Sequence, residues 1–214
     1  MTQIKHQLSK MGGVTALLAS TLAISNPAFA LQGIGATSTS GSGVGDFNIG
    51  YRFSVGAQDI TVTDLGYIDL GSDGLVASND VGLYDDIGNL LSQGTVLSGG
   101  ASPLIGFFRY APITPITLTS GQIYRVAGSF RQSFDPYTGV GTGFNVDPAI
   151  NYLATVFASS STLAFPDQTT SIFLGGNIQF TTTPVPFEFN PIVGLGILGG
   201  LLAVKRFVKN KKAS

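Results

Sequence analysis

The chain has 214 residues, of which 43% are hydrophobic and 11% are charged, and it contains no cysteine. Between residues 31 and 183, eleven Asp stand against four Arg, which gives this body a net charge of −7. An acidic body repels phosphate, so we expect no nucleic-acid partner. Without cysteine, stability has to come from apolar burial or bound ions rather than from cross-links.

Residues 1–30 contain the three parts of a secretory signal peptide. Two lysines make a positive start, residues 11–24 are apolar or small, and Ala28 and Ala30 occupy the small-residue positions before a cleavage site. We therefore expect a signal helix, export, and cleavage by signal peptidase just after Ala30.

The next segment, residues 31–45, is rich in glycine and serine and predicts a flexible leader. Residues 46–180 predict one all-β domain, an antiparallel β-sandwich of jelly-roll type. In DFNIGYRFSV, apolar residues alternate with small or polar ones from Phe47 to Val55, the period of a strand with one buried face. A parallel β-helix is the rival fold, but the chain has no fixed internal repeat to support it.

Later segments continue the strand pattern. VGLYDDIGNLLSQGTVL predicts two strands joined by a turn at residues 86–89, where glycine and asparagine tolerate positive φ. IYRVAGSF, INYLATVF and SIFLGGNIQF predict further strands. Residues 131–150 have no clean period and predict a long loop, and such loops often carry binding sites.

The segment DLGSDGLVASND, residues 69–80, is the candidate metal site. Asp69, Asp73 and Asp80 fall at positions one, five and twelve of an EF-hand loop. Glycine stands at position three, position twelve is Asp rather than Glu, and the flanks resemble strands, so the segment is not an EF-hand. Three oxygen donors in a turn could hold calcium, and the alternative is that Asp and Gly simply form the turn.

Most catalytic chemistry is excluded by composition. The single histidine is His6, inside the signal peptide, so the mature chain has no Ser-His-Asp triad, no Cys nucleophile and no ordinary zinc site. A pair of Asp remains possible for glycoside hydrolysis, yet the sequence marks no pair. We predict a protein that is not an enzyme and has no cofactor other than the candidate calcium. Tyr137 and Phe144 are the aromatic residues whose setting suggests exposure to a sugar.

The C-terminal region predicts a linker and a short membrane segment. Residues 181–186 contain two prolines and predict an extended linker. Residues 187–214 hold an apolar run, 192–204, which as a helix would be about 20 Å long against the ~30 Å hydrocarbon core. Five cations follow the run and keep that end in the cytoplasm; they are Lys205, Arg206, Lys209, Lys211 and Lys212.

A short motif, an apolar span and a basic end together form a tripartite sorting signal. The stretch PVPFEFNP resembles the PEP-CTERM class of sorting signals, in the PFE variant common in cyanobacteria. The residues that carry the match are Pro186, Phe187, Glu188 and Phe189. The resemblance implies recognition by an exosortase-like membrane enzyme, and transient anchoring through the C-terminal helix.

The body has a resemblance of its own. LGYIDLGSDGLVASNDVGLYDD and FFRYAPITPITLTSGQIYRVAG are similar to an uncharacterised β-sandwich domain of PEP-CTERM-bearing secreted proteins, over residues 51–130. We expect Arg109, within that match, to be a structural cation that pairs with nearby Asp residues. The expected function is that of an exported cell-envelope or matrix protein, non-catalytic. The alternative is a module that binds extracellular polysaccharide, with or without calcium.

Overall fold

The computed structural model describes residues 30–36, 45–130, 138–139, 144–170 and 173–182. Within these residues the chain forms fifteen β-strands and no helix. The strands are β1 (Leu31–Gln32), β2 (Ile34–Ala36), β3 (Phe47–Val55), β4 (Ile60–Ile68), β5 (Asn79–Asp85), β6 (Leu90–Val96), β7 (Leu104–Ile105), β8 (Phe108–Leu118), β9 (Ile123–Phe130), β10 (Thr138–Gly139), β11 (Phe144–Val146), β12 (Ile150–Ser159), β13 (Gln168–Thr170), β14 (Phe173–Leu174) and β15 (Gly176–Thr182).

The strands pair in antiparallel fashion and form two main sheets. One sheet has five strands in the order β1-β15-β4-β8-β7, and the other has six in the order β13-β12-β3-β9-β5-β6. Two short pairs, β2 with β11 and β10 with β14, complete the described strands. The prediction of an all-β, antiparallel fold is confirmed.

The two main sheets pack face to face around one apolar core. Side chains alternate along β3, so Tyr51 and Phe53 are fully buried while Arg52 between them points away from the core. Leu65 on β4 and Phe180 on β15 are buried in the same cluster from the opposite sheet. The body is therefore sandwich-like, and burial of both inner faces is the main source of its stability.

Gly66 on β4 leaves room on the five-stranded sheet for the side chain of Tyr110. It lies between Tyr110 on β8 and Asn177 on β15 in one cross-strand row. A Cβ at this position would clash with the Tyr110 ring. Because Gly66 has no side chain, the Tyr110 ring lies across it and its hydroxyl reaches the Asn177 amide at 2.9 Å.

The predicted flexible leader over residues 31–45 is wrong for its described part. Leu31 and Gln32 pair with β15, and Ile34 is fully buried. The backbone N–H and C=O of Ile34 bond the Asn177 side chain, at 3.2 and 2.7 Å. The composition of residues 31–45 did not reveal that this segment is ordered, because Asn177, the partner of Ile34, stands 143 residues later in the chain. Residues 37–44 lie outside the described residues.

The predicted long loop over residues 131–150 also needs correction. It contains β10 and β11, and its last residue, Ile150, begins β12. The β11 strand pairs with β2, from Phe144 opposite Ala36 to Val146 opposite Ile34. Three-residue strands carry too few residues to show a period, so only the distant partner reveals them.

Candidate functional site

A buried ion pair closes the turn that follows β4. Asp69 Oδ2 lies 2.6 Å from Arg109 Nε, and the two side chains are only 2% and 7% exposed. The Arg109 guanidinium also donates to the carbonyls of Gly100 and Ser102, at 3.1 and 2.9 Å. The Gly74 N–H donates to Asp69 Oδ2 at 3.1 Å. Arg109 thus joins two loops, 69–78 and 97–103, and the prediction that it is a structural cation is confirmed.

The three acidic residues of the candidate calcium site have different surroundings. Asp69 is engaged by Arg109, and Asp73 is exposed in the turn. Asp80 lies inside β5, where its Oδ1 accepts a hydrogen bond from the Thr95 hydroxyl at 2.7 Å. Across the described ranges, no three acidic or other metal-ligating side chains are grouped closely enough to hold an ion. Calcium binding at these three residues stays a prediction.

A second charged cluster lies on the outer face of the six-stranded sheet. Arg52 on β3 and Arg125 on β9 are directly opposite each other, an arrangement that is unfavourable for two like charges. Asp86 bridges both cations: its Oδ1 lies 2.8 Å from Arg52 Nε and 2.9 Å from Arg125 Nε, and its Oδ2 lies 2.7 Å from Arg52 Nη2. No local sequence pattern reveals this cluster, because Asp86 follows Arg52 by 34 residues and precedes Arg125 by 39.

This cluster predicts a dependence of stability on pH. The hydrogen bond from Arg52 is the main reason why the pKa of Asp86 falls to about 2. The folded pKa lies below the unfolded value, so the cluster stabilises the fold above about pH 4, and this stability is lost as the pH falls from about 4 to 2. With screening at a side chain that is 29% exposed, we expect a contribution of about 1 kcal/mol.

The measurement is thermal unfolding between pH 2 and 7 by circular dichroism. We expect Asp86→Asn to lower the Tm at pH 7 and to flatten its decline between pH 4 and 2. The matched control is Asp73→Asn, which removes an exposed carboxylate and should leave the pH profile unchanged. Identical profiles for the two variants would contradict the prediction.

The loop between β12 and β13, residues 160–167, covers part of the same outer face. Asn48 Nδ2 donates to the Thr162 carbonyl at 2.8 Å, and Arg125 Nη1 donates to the Pro166 carbonyl at 2.7 Å. The Phe165 ring lies 4.7 Å from the Arg125 guanidinium carbon and packs edge-on against Tyr84. Burial raises the pKa of Tyr84 to about 12. The loop therefore occupies the centre of a sheet face that could otherwise receive a ligand.

Beside the charged cluster there is an open cleft of about 380 Å³. One wall is formed by Asp85 at the end of β5 and by Asp86 and Ile87 in the turn that follows, and the other by Gln122 in the turn between β8 and β9 and Tyr124 in β9. Hydrogen bonds, chiefly from the Asn89 side chain, lower the pKa of Asp85. The cleft offers two ionised carboxylates and an amide next to apolar surface.

A buried amide connects the two sheets. Asn177 on β15 accepts from the Tyr51 hydroxyl of β3 at 2.8 Å and donates to the Tyr110 hydroxyl of β8 at 2.9 Å. Gln32 on β1 also donates to the Tyr110 hydroxyl, at 3.1 Å. Burial is the main reason why the pKa values of Tyr51 and Tyr110 are raised above the usual range. These phenols stay neutral, so the network is structural.

The aromatic residues proposed for sugar contact are only partly described. Phe144 is half-buried, and its ring packs edge-on against Tyr152 with 4.8 Å between ring centroids. Phe144 thus belongs to the margin of the core. Tyr137 lies outside the described residues.

Most residues of the predicted processing signals are outside the described part of the chain. Ala30 is described, exposed and directly precedes β1. The residues that lie outside are Ala28, Pro186, Phe187, Glu188, Phe189, Lys205, Arg206, Lys209, Lys211 and Lys212. Nowhere in the described ranges is there a helix of sufficient length and apolarity to cross a membrane.

Comparison with models of protein families, with curated proteins and with solved structures finds no match to this chain.

Proposed function

We propose that this chain is an exported, non-catalytic protein of the cell envelope or extracellular matrix. A signal helix over residues 1–30 directs export, and signal peptidase cleaves after Ala30. The C-terminal signal, residues 187–214, inserts as a short hydrophobic helix and presents the motif 186–189 to an exosortase-like enzyme. The sandwich between these two signals is the part that acts outside the cell.

The observation that carries this proposal is the pairing of the first described strand with the last. Leu31 on β1 lies opposite Phe180 on β15, so Ala30 lies beside Thr181, one residue before β15 ends. The strand β15 ends at Thr182, so the first two residues of the predicted linker 181–186 belong to the sheet. A fold whose N- and C-terminal ends lie side by side suits a body that is cleaved at its N-terminal end and anchored through its C-terminal end.

The same geometry indicates which end of the body faces away from the anchor. Thr182 pairs with Ile60, which pairs with Leu118, at the proximal end of the five-stranded sheet. Loops 69–78 and 97–103, together with β7, lie at the distal end, beyond Ile68 and Phe108. Val76, Leu97 and Ile105 are exposed there. An anchored body would present this apolar tip outward, where a binding protein contacts its partners.

Electrostatics favours binding over catalysis. Glycoside hydrolysis needs one carboxyl group that is protonated near neutral pH. Asp86 has a pKa of about 2 because Arg52 and Arg125 hold it ionised, and the pKa of Asp85 is also lowered. These two carboxylates of the cleft are therefore poor proton donors.

The test is to locate both mature termini by intact mass and peptide mapping of the protein from its own cells. We expect an N-terminus at Leu31 and a C-terminus between residues 184 and 189. Glu188→Ala in the motif should prevent removal of the tail, whereas Thr183→Ala in the linker should not. A full-length C-terminus at Ser214 in the membrane fraction would remove the sorting hypothesis, and a retained signal peptide would remove export.

A second candidate function is binding of a neutral polysaccharide in the cleft beside Asp85. Carboxylate oxygens and the Gln122 amide can bond sugar hydroxyls, and Ile87, 86% exposed, offers an apolar surface for a sugar ring. We expect Gln122→Ala to weaken binding on a glycan array, while Gln168→Ala, on the far edge of the sheet, leaves it unchanged. Equal binding by both variants would exclude this cleft, and parallel arrays with a chelator test the calcium requirement.

A further inference from the structure

The strand β6 forms a long, open edge of the six-stranded sheet. It has seven residues, Leu90–Val96, and stands last in the strand order. Among the described strands, the other three that end a main sheet, β1, β7 and β13, have two or three residues each. A strand at a sheet edge presents a row of backbone donors and acceptors to any extended chain that approaches.

Backbone groups of two β6 residues point toward this open edge. The N–H of Asp80 on β5 donates to the Ser129 hydroxyl of β9 at 3.0 Å, so the backbone of Asp80 faces β9. Its partner Thr95 on β6 is then in a non-hydrogen-bonded pair, and the N–H and C=O of Thr95 face away from β5. Gln93, two residues earlier and opposite Gly82, has the same orientation.

Two of the usual devices that block strand addition, charge and proline, are absent from β6, and its one irregularity is a register shift opposite Leu83 and Tyr84. No charged residue stands between Asp86 and Arg109, and β6 contains no proline. The open side of β8 is different, because Pro112 and Pro115 interrupt its donors and are exposed. Apolar side chains flank the β6 edge: Leu90 is 48% exposed and Leu97 is 55% exposed.

We propose that β6 is a self-association edge that pairs with β6 of a second copy of this chain. The two strands run antiparallel around a two-fold axis at Gln93, the middle residue of β6, and the two six-stranded sheets become continuous. Leu90 of one copy then lies close to Leu97 of the other, and the pairing covers both exposed leucines.

The distribution of charge favours this edge and this orientation for the pairing of two copies. The body carries a net charge of −7, so two copies repel each other over most of their surfaces. Antiparallel pairing places Asp85 and Asp86 of one copy opposite the uncharged residues 99–101 of the other. Parallel pairing would bring the two Asp86 carboxylates together. The inference concerns the body alone and stands whether or not the sorting proposal holds.

The absence of native cysteine makes a cross-linking test specific. Gln93→Cys places one thiol at the proposed axis, where it meets its own copy. Gln168→Cys is the matched control, an exposed glutamine on β13 at the opposite edge of the same sheet. With the full chain under mild oxidation, we expect at least tenfold more disulfide-linked homodimer from Gln93→Cys. Equal cross-linking of the two variants, or a cross-link from position 93 to a different protein, would overturn the proposal.

A second pair of variants leaves cysteine chemistry aside. Gln93→Lys places two like charges at the axis, whereas Gln168→Lys adds the same charge at the far edge. In sedimentation equilibrium of the full chain, we expect Gln93→Lys to raise the dimer dissociation constant at least tenfold relative to Gln168→Lys. Both variants should keep the circular dichroism spectrum of the unaltered protein. Equal dissociation constants would mean that any association occurs elsewhere.

Discussion

Replacing Asp69 with Ala is expected to lower the free energy of unfolding by about 3–5 kcal/mol, the largest effect of any single carboxylate in the described body. The substitution leaves the Arg109 guanidinium buried without its counter-charge, since that side chain is only 7% exposed. It also removes the acceptor of the Gly74 N–H. The turn after β4 and the loop 97–103 should therefore separate.

The measurement is urea unfolding followed by tyrosine fluorescence, because the chain has seven Tyr and no Trp. Asp73→Ala is the matched control, since it removes an exposed carboxylate from the same turn and should change stability by less than about 0.5 kcal/mol. The double variant Asp69→Ala/Arg109→Met should recover part of the loss, because no charge is left buried. Equal losses from the two single variants would show that the ion pair does not hold the loops together.

Replacing Asn177 with Ala is expected to cost on the order of 4 kcal/mol, because each buried polar group left unpaired costs about 1–3 kcal/mol. The amide is the shared partner of the Tyr51 and Tyr110 hydroxyls and of the Ile34 backbone. Its loss leaves these groups without that partner between the sheets. The contacts of Ile34 should weaken first, since β2 has only three residues.

The matched control for this prediction is Asn151→Ala. Asn151 is exposed, and its side-chain amide donates to the Ser54 hydroxyl at 3.2 Å. Its removal should change the unfolding free energy by less than about 0.5 kcal/mol. Hydrogen exchange of the Ile34 amide gives a second readout, which should accelerate in Asn177→Ala only. Similar stability of the two variants would contradict the role assigned to the network.

Local patterns were sufficient for the long strands and for one hairpin. Alternation from Phe47 to Val55 predicted β3, and the Asp-Ile-Gly-Asn turn predicted the β5–β6 connection, where Gly88 has a φ of 105°. In both cases the signal lies within about ten residues, and burial of one face dictates which residues alternate. The prediction of Arg109 as a structural cation came from its isolation in an acidic body.

The charged cluster of Arg52, Asp86 and Arg125 could not be predicted in the same way. Pairing a cation with one of eleven Asp requires the strand order, because any of them is chemically suitable. Register decides the outcome: Arg52 opposes Arg125, and the turn after β5 carries Asp86 to both. The candidate calcium residues had the same limitation, because their spacing along the loop did not reveal that Asp69 pairs with Arg109.

By itself, the sequence determined the all-β class, the period of the main strands and the acidic character of the body, because these follow from composition and from neighbours along the chain. Only the tertiary structure decided that Leu31–Gln32 and Ile34–Ala36 belong to the fold, that Asn177 joins the two sheets, and that β6 is an open edge. The physical reason is the same in each case. Order in a short strand, satisfaction of a buried amide and exposure of a sheet edge all depend on residues far apart in sequence, which no local pattern specifies.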